Sequence, residues 1–84
     1  VPLTRFLAAS LAPDVTVNCV SPGLMVETGL GSGGSEALVQ GWRDRSALGR
    51  TTSVDDVAEQ VVSLCKSSTT TGQSIVVDGG IHFN

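Results

Sequence analysis

The sequence predicts an α/β fold in which a helix, a strand, a long crossover with helices and a second strand follow one another. Two short apolar runs suggest strands: residues 15–20, which a Pro22-Gly23 pair follows, and Ser74 to Val77. Residues 54–66 between them show helical periodicity of apolar side chains. A strand, a helical crossover and a strand form a βαβ unit, whose strands are parallel and whose crossover is right-handed in nearly all cases.

The first predicted strand ends at a point that can hold a ligand. Its alternating members are the apolar Val15, Val17 and Cys19 and the polar Thr16 and Asn18. Because Pro22 cannot donate to a ladder and Gly23 adopts angles closed to other residues, we expect the chain to leave the sheet there. Ligands of open α/β sheets bind beyond the carboxyl ends of the strands. Pro22-Gly23 is therefore either a plain turn or a backbone edge offered to a flat polar ligand, with Thr28 nearby.

Three helices are predicted. The first covers residues 2–11 with one apolar stripe, and Pro13 ends it. The second covers about 36–46, with Ser35 as a candidate N-cap. The third covers 54–66, with Ser53 as N-cap. We expect its apolar stripe to be buried: Val54, Val57, Ala58, Val61, Leu64 and Cys65.

Composition narrows the function classes. The net charge is −3 and the five basic residues are scattered, which argues against a nucleic-acid surface. No apolar run approaches the roughly 20 residues of a membrane span, and the first residues lack a signal-peptide layout. Charged residues make up only 15% of the chain, so we expect it to pack against more protein. Cys19 and Cys65 lie in apolar positions and predict buried free thiols, a reducing compartment and a cytoplasmic location.

The glycine motif Gly29-x-Gly31-x-x-Gly34 matches the dinucleotide-binding fingerprint literally. That fingerprint must follow directly on a strand, so that the next helix can meet the pyrophosphate. Here residues 21–28 intervene, and we interpret the motif as a glycine-rich lid. The acidic pair Asp55-Asp56 is interpreted as helix-dipole residues.

Other catalytic arrangements find no support in the sequence. His82 is the single histidine, near the end of the chain, with no nucleophile elbow around Ser21 or Ser74. We interpret it as an exposed or interface residue. No cluster of metal-ligating residues is present in the pattern. Trp42 is predicted to be a core or interface anchor.

Taken together, several segments resemble the C-terminal third of the short-chain dehydrogenase/reductase family. They occur in the family's order: Leu3-Thr4-Arg5-Phe6-Leu7-Ala8, Leu11-Ala12-Pro13, Val15-Thr16-Val17-Asn18, Ser21-Pro22-Gly23, Leu48-Gly49-Arg50, Val54-Asp55-Asp56-Val57-Ala58, Thr71-Gly72-Gln73 and Val77-Asp78-Gly79-Gly80. The resemblance implies that residues 1–84 are the C-terminal portion of one Rossmann-type domain with a parallel sheet, of which this chain holds the last two strands.

The resemblance also implies a reaction and a site. The reaction is hydride transfer between NAD or NADP and a ketone/secondary alcohol pair. The cofactor-binding positions implied by the matching segment are Pro22, Gly23, Met25, Val26 and Thr28. Thr28 comes one residue later than is usual in the family, so either the loop bulges or Glu27 takes the usual place. The lid, about residues 28–46, matches the region that closes over substrate.

The family's catalytic Asn, Ser, Tyr and Lys have no counterpart in these residues, so the chain by itself is expected to be inactive. The parent would reduce a small carbonyl substrate, with 3-oxoacyl thioesters and sugars or polyols both open, and would form a homodimer or homotetramer. Arg43, Arg45 and Arg50 suggest an acyl-carrier partner, although Asp44 lies among them. The alternatives are a non-catalytic oligomerisation or partner-binding module and a truncated gene product.

Overall fold

The computed structural model describes residues 2–25 and 36–82. Its elements, in chain order, are α1 (Pro2–Leu11), β1 (Cys19–Pro22), α2 (Glu36–Arg45), α3 (Val54–Lys66) and β2 (Ser74–Val77). The two strands pair in parallel, with Cys19 opposite Ser74 and Pro22 opposite Val77. The predicted order of elements and the parallel pairing are thus confirmed.

The first strand begins later than predicted. Residues 15–18 are not part of β1, because the segment opposite them is a turn and not a strand. The Val17 N–H donates to Thr71 Oγ1 at 3.0 Å, and the Gly72 N–H donates to the Val17 carbonyl at 2.8 Å. The backbone of Val17 is therefore satisfied by a turn, and a ladder begins only at Cys19, where the Gln73 carbonyl accepts its N–H at 2.9 Å.

The chain leaves the sheet at Pro22-Gly23, as predicted. Pro22 is the last residue of β1, and the Gly23 N–H still donates to the Val77 carbonyl at 2.9 Å. Along a parallel pair, alternate residues donate to the same neighbour. Cys19 and Gly23 donate to the β2 side, so the nitrogen of Pro22 faces the opposite edge. Its missing N–H therefore costs this ladder nothing.

Helix α3 begins and ends as its caps predict. Ser53 has extended backbone angles, and its hydroxyl accepts the Asp56 N–H at 3.3 Å. At the other end, the Ser67 N–H reaches the carbonyls of Ser63 and Leu64, and Lys66 lies in the last turn. These contacts supply partners for backbone groups that a helix end otherwise leaves unpaired.

The predicted burial of the α3 stripe is wrong. No residue of α3 is buried, and the side chains of Val61 and Val62 are 44% and 50% exposed. The prediction of buried thiols is also wrong, since Cys65 is exposed and Cys19 is half-buried, although both thiols are free as expected. Neighbouring strands lie about 4.8 Å apart, so a sheet of two strands is narrower than the apolar face of the helix. The part of the stripe beyond the sheet therefore stays uncovered.

Helix α1 shows the same effect more strongly. Its buried side chains are Thr4 and Ala8, whereas the larger Leu3 and Phe6 are 63% and 66% exposed. A Cβ placed on Gly72 would lie 3.6 Å from the Cβ of Ala8. The helix thus approaches the turn before β2 through its smallest side chain and leaves its large apolar residues uncovered.

Candidate functional site

The segment Pro22–Met25 runs off the carboxyl end of β1, next to the carboxyl end of β2. We call these four residues the wall. Pro22 is exposed, and the other three residues are half-buried. The wall has no charged side chain. Its position is the one at which open parallel sheets bind ligands.

Thr52 joins the wall to β2 through two hydrogen bonds. Its backbone N–H donates to the Leu24 carbonyl at 2.8 Å, and its hydroxyl donates to the Val77 carbonyl at 2.9 Å. Thr52 is only 3% exposed. Because solvent cannot replace these bonds at so buried a residue, Thr52 fixes the distance between the wall and the end of β2.

The Val77 carbonyl accepts two donors at once. One is the Gly23 N–H and the other is the Thr52 hydroxyl, each at 2.9 Å. A carbonyl oxygen has two lone pairs, and both are used here. The first wall residue beyond β1 and the clamping threonine are therefore held by the same atom.

Gly23 has no room for a side chain. A Cβ built on it would lie 2.6 Å from Thr52 Oγ1, 2.6 Å from Trp42 Cζ2 and 2.9 Å from Asp78 Cβ. These distances are well inside van der Waals contact. The wall, the connector before α3, helix α2 and the end of β2 all meet at this glycine.

Trp42 is the residue of α2 that lies beside Gly23. The guanidinium carbon of Arg45 lies 5.9 Å from the centre of its ring system, within range of a cation–π contact. The indole Nε1 is buried and has no hydrogen-bond partner in the part of the chain that the structure describes. The half-buried position confirms Trp42 as a packing anchor, with an unpaired donor that costs stability.

Asp78 ends β2 with a carboxylate that organises the following turn. Its Oδ1 accepts the N–H groups of Gly80 (2.9 Å) and Ile81 (3.2 Å), and its Oδ2 accepts that of His82 (2.9 Å). Burial raises the pKa of the carboxyl, but the three N–H donors and the nearby His82 outweigh that effect, and the pKa lies below its ordinary value. Asp78 thus acts as a structural anion that is only 5% exposed.

Ser46 makes a second tie to the same turn. Its hydroxyl donates to the Gly79 carbonyl at 2.6 Å and accepts the Arg50 N–H at 3.3 Å. Gly79 has φ +72°, and a Cβ there would lie 2.5 Å from Ser46 Oγ. The positive φ and the close approach both require glycine at this position. The end of α2 is thereby held against the end of β2.

The structure describes three of the five predicted cofactor-binding residues. Pro22, Gly23 and Met25 lie together in the wall. Val26 and Thr28 lie outside the described residues, as do the glycine motif and the first part of the predicted lid. The described part of the lid is α2 and Ser46.

Sequence reasoning missed Thr52 and Asp78 as organising residues. Thr52 lies in a polar connector, and no spacing pattern in the sequence distinguishes it from its polar neighbours. Asp78 offered a signal in the Asp-Gly-Gly order, because an aspartate before two glycines is typical of a side chain that caps its own turn. His82 is exposed, as predicted.

Residues 2–25 and 36–82 contain neither a cluster of metal ligands nor a membrane-spanning helix. Within these ranges no group of three or more potential metal ligands comes together. Among the same residues, no helix is long and apolar enough to cross a membrane.

Known proteins resemble this chain along nearly its whole length. Residues 1–82 match the family model described as enoyl-(acyl carrier protein) reductase. The chain is 41% identical over 82 residues to ketoacyl reductase 2 of the granaticin polyketide synthase from Streptomyces violaceoruber, covering 95% of this chain and 32% of that protein. It is 41% identical over 81 residues to the 3-oxoacyl-(acyl-carrier-protein) reductase of Aquifex aeolicus, covering 93% and 32%. The chain spans about a third of these relatives.

Solved structures show the same likeness. A short-chain dehydrogenase from Leptospira borgpetersenii with bound NAD+ superimposes with a TM-score of 0.81 at 30% identity, covering 98% of this chain and 32% of that one. A small-chain dehydrogenase in complex with NADPH gives 0.78 at 31% identity, covering 95% and 37%. Dehydrogenases with this fold thus bind either nicotinamide cofactor.

The described residues fit one end of such a cofactor. A nicotinamide ring is flat and carries a polar carboxamide, and the uncharged wall offers it backbone edges at a fixed position. Pyrophosphate requires a glycine-rich turn joined directly to a strand and a helix N-terminus. The described residues that follow β1 directly, Gly23–Met25, do not form that arrangement. Among the residues that the structure describes, the wall therefore suits a flat, uncharged group rather than a pyrophosphate.

Proposed function

Because the chain belongs to the short-chain dehydrogenase/reductase family, we propose that it is the C-terminal portion of an NAD(P)-dependent oxidoreductase. The whole protein would interconvert a ketone and a secondary alcohol. The single observation that carries this proposal is the wall. Its uncharged backbone is fixed at the carboxyl ends of two parallel strands by the shared Val77 carbonyl and by Thr52.

In this proposal the wall borders the nicotinamide. Pro22 and Gly23 face the ring, Met25 and Val26 offer backbone groups to the carboxamide, and Thr28 or Glu27 completes the contact. The bound cofactor supplies or accepts the hydride. The wall holds the ring in place and excludes water from one side of it, which is the contribution of positioning to rate.

The residues that move the proton belong to the rest of the protein. The chain covers only 32% of its reductase relatives, and the residues in hand contain no Tyr. A general acid must lie within hydrogen-bond reach of the atom that it protonates. We therefore assign binding and orientation to this portion, and proton transfer to residues outside it.

For the substrate we favour a 3-oxoacyl thioester over a sugar or polyol. The two relatives named above are a ketoacyl reductase and a 3-oxoacyl-(acyl-carrier-protein) reductase. Arg43, Arg45 and Arg50 are exposed, and an acidic carrier protein would be attracted to such a group. Free thiols at Cys19 and Cys65 fit a reducing compartment, and the cytoplasm is the proposed location.

The test is turnover by the full-length protein that carries these residues. Oxidation of NADH and NADPH is followed by absorbance with 3-oxoacyl thioesters, sugar ketones and small diketones. We expect turnover of a 3-oxoacyl thioester with at least one cofactor. Full-length protein that is folded, yet turns over no ketone or alcohol with either cofactor, would contradict the proposal.

A second candidate is a non-catalytic assembly module. The observation that favours it is the uncovered apolar face of α1, where Leu3 and Phe6 are largely exposed. Sedimentation of the 84-residue chain distinguishes the two functions. A discrete, well-folded dimer or tetramer supports the module, whereas an aggregating or unfolded chain supports a portion that needs the rest of its domain.

A further inference from the structure

We propose that Thr52 is a positioning residue for the nicotinamide side of the cofactor site. It would act through the wall, since its own side chain is only 3% exposed. The inference rests on the proposed function, because a wall that borders no nicotinamide has nothing to position.

Thr52 makes two hydrogen bonds that join the wall to the end of β2. Its N–H holds the Leu24 carbonyl in the middle of the wall. Its hydroxyl holds the Val77 carbonyl at the end of β2, 2.9 Å away. One residue thus spans from the wall to the neighbouring strand, beyond the point at which the strand ladder ends.

Thr52 and Gly23 share one hydrogen-bond acceptor, the carbonyl oxygen of Val77. The Gly23 N–H donates to the same Val77 oxygen, and Thr52 Oγ1 lies where it would touch any Cβ on Gly23. Loss of the hydroxyl would leave this carbonyl with one donor and would remove the bond that ties Thr52 to the end of β2. The wall would then no longer be held at a fixed position relative to the ring that it supports.

The rate of hydride transfer is sensitive to the distance between the reacting groups. A misplacement of about 1 Å can lower a rate by roughly 100-fold when the reacting groups are held by positioning alone. A shift in the wall moves the nicotinamide and leaves the proton-transferring residues untouched. The effect is therefore expected in kcat and in kcat/KM for the cofactor, with little change in the KM of the carbonyl substrate.

The experiment compares three variants of the full-length protein. Thr52→Val keeps shape and loses the hydroxyl, and Thr52→Ser keeps the hydroxyl. Ser53→Ala is the matched control. It also removes one side-chain hydrogen bond, in which the hydroxyl of the adjacent residue accepts the N–H of Asp56, a residue of α3 and not of the wall. Steady-state kinetics are measured with cofactor and carbonyl substrate varied separately.

We expect Thr52→Val to lower kcat/KM for the cofactor by roughly 10- to 100-fold. The KM for the carbonyl substrate should change by less than about twofold, since uniform substrate binding is retained. Thr52→Ser should restore most of the activity, and Ser53→Ala should match the wild type. If Thr52→Val behaves like Ser53→Ala in an active enzyme, the inference is overturned while the proposed function stands.

Amide hydrogen exchange tests the clamp independently of turnover. The Gly23 N–H should exchange at least about tenfold faster in Thr52→Val than in Ser53→Ala, because local opening controls its protection. Unchanged protection of Gly23 would overturn the inference. Faster exchange in a protein without any NAD(P)-linked turnover would overturn it as well, by removing the nicotinamide on which it rests.

Discussion

The Cα of Gly23 lies so close to the indole of Trp42 that a methyl group on the glycine would come within 2.6 Å of Cζ2. The wall and helix α2 are thus in direct contact, with no side chain from the wall between them. Because the indole occupies the space that a Cβ would need, this contact requires a glycine at position 23.

Gly23→Ala is expected to destabilise the chain by about 1–3 kcal/mol, the usual range for overpacking a tight site. The added Cβ must displace Thr52, Trp42 or Asp78. Urea denaturation monitored by circular dichroism measures the loss. Gly41→Ala is the control: a Cβ there meets nothing within 4 Å, and alanine should stabilise α2 by about 0.5–1 kcal/mol. Equal effects of the two substitutions would contradict the prediction.

The Asp78 carboxylate predicts a specific acid sensitivity. Its pKa is lower in the folded chain than its ordinary value, so the unfolded state binds the proton more readily. The stability that the carboxylate contributes is therefore fully present above an unfolded pKa of about 3.9. It is lost as the pH falls through the lower, folded pKa.

Asp78→Asn should cost about 1.5–3 kcal/mol at pH 7, the range for hydrogen bonds to a charged group. The amide nitrogen of the asparagine would face an N–H donor and not accept it. The difference from the wild type should shrink below about pH 4, as urea denaturation across a pH series would show. Asp14→Asn, at an exposed position, should change neither the free energy of unfolding at pH 7 nor its dependence on pH. A constant Asp78→Asn difference down to pH 2 would show that the carboxylate's charge is unimportant.

Asn18 fixes the turn that precedes β2. Its Nδ2 donates to the Thr70 carbonyl and its Oδ1 accepts the Gln73 N–H, both at 3.1 Å. Asn18→Ala should lower stability by about 1–3 kcal/mol, because the part-buried Thr70 carbonyl and the exposed Gln73 N–H both lose their side-chain partner and each such bond contributes about 0.5–1.5 kcal/mol. Thr16→Ala, at an exposed neighbouring position, should stay within about 0.5 kcal/mol. Urea denaturation decides, and similar losses in both variants would contradict the role given to Asn18.

The indole N–H of Trp42 has no partner among the residues that the structure describes, and this predicts an unusually mild substitution. Trp42→Phe removes a buried donor whose burial without a partner costs about 1–3 kcal/mol, and this offsets the smaller apolar area of phenylalanine. We expect a net change within about 1 kcal/mol by urea denaturation, given those two opposing effects. Trp42→Leu, which also loses the aromatic face beside Arg45, should be less stable than Trp42→Phe. A loss above about 2 kcal/mol in Trp42→Phe would show that the N–H has an acceptor.

Local signals along the chain predicted the elements and their order. Helical periodicity and the Ser53 cap predicted α3, and the apolar run 74–77 predicted β2, because these signals are local and need only neighbours along the chain. The Pro22-Gly23 pair marked the end of the first strand, where the candidate site lies. The resemblance, carried by ordered segments, supplied the family.

What those elements bury, and which contacts hold the wall in place, depends on residues that are distant along the chain. The strand at 15–20 became Cys19–Pro22 because a turn from the far end of the chain satisfies Val17. The α3 stripe stayed uncovered because its partner sheet has two strands. Thr52, Val77 and Gly23 meet across sequence separations that no local pattern encodes. Periodicity reports which face of an element is apolar, whereas burial and shared hydrogen bonds depend on what the fold brings beside it.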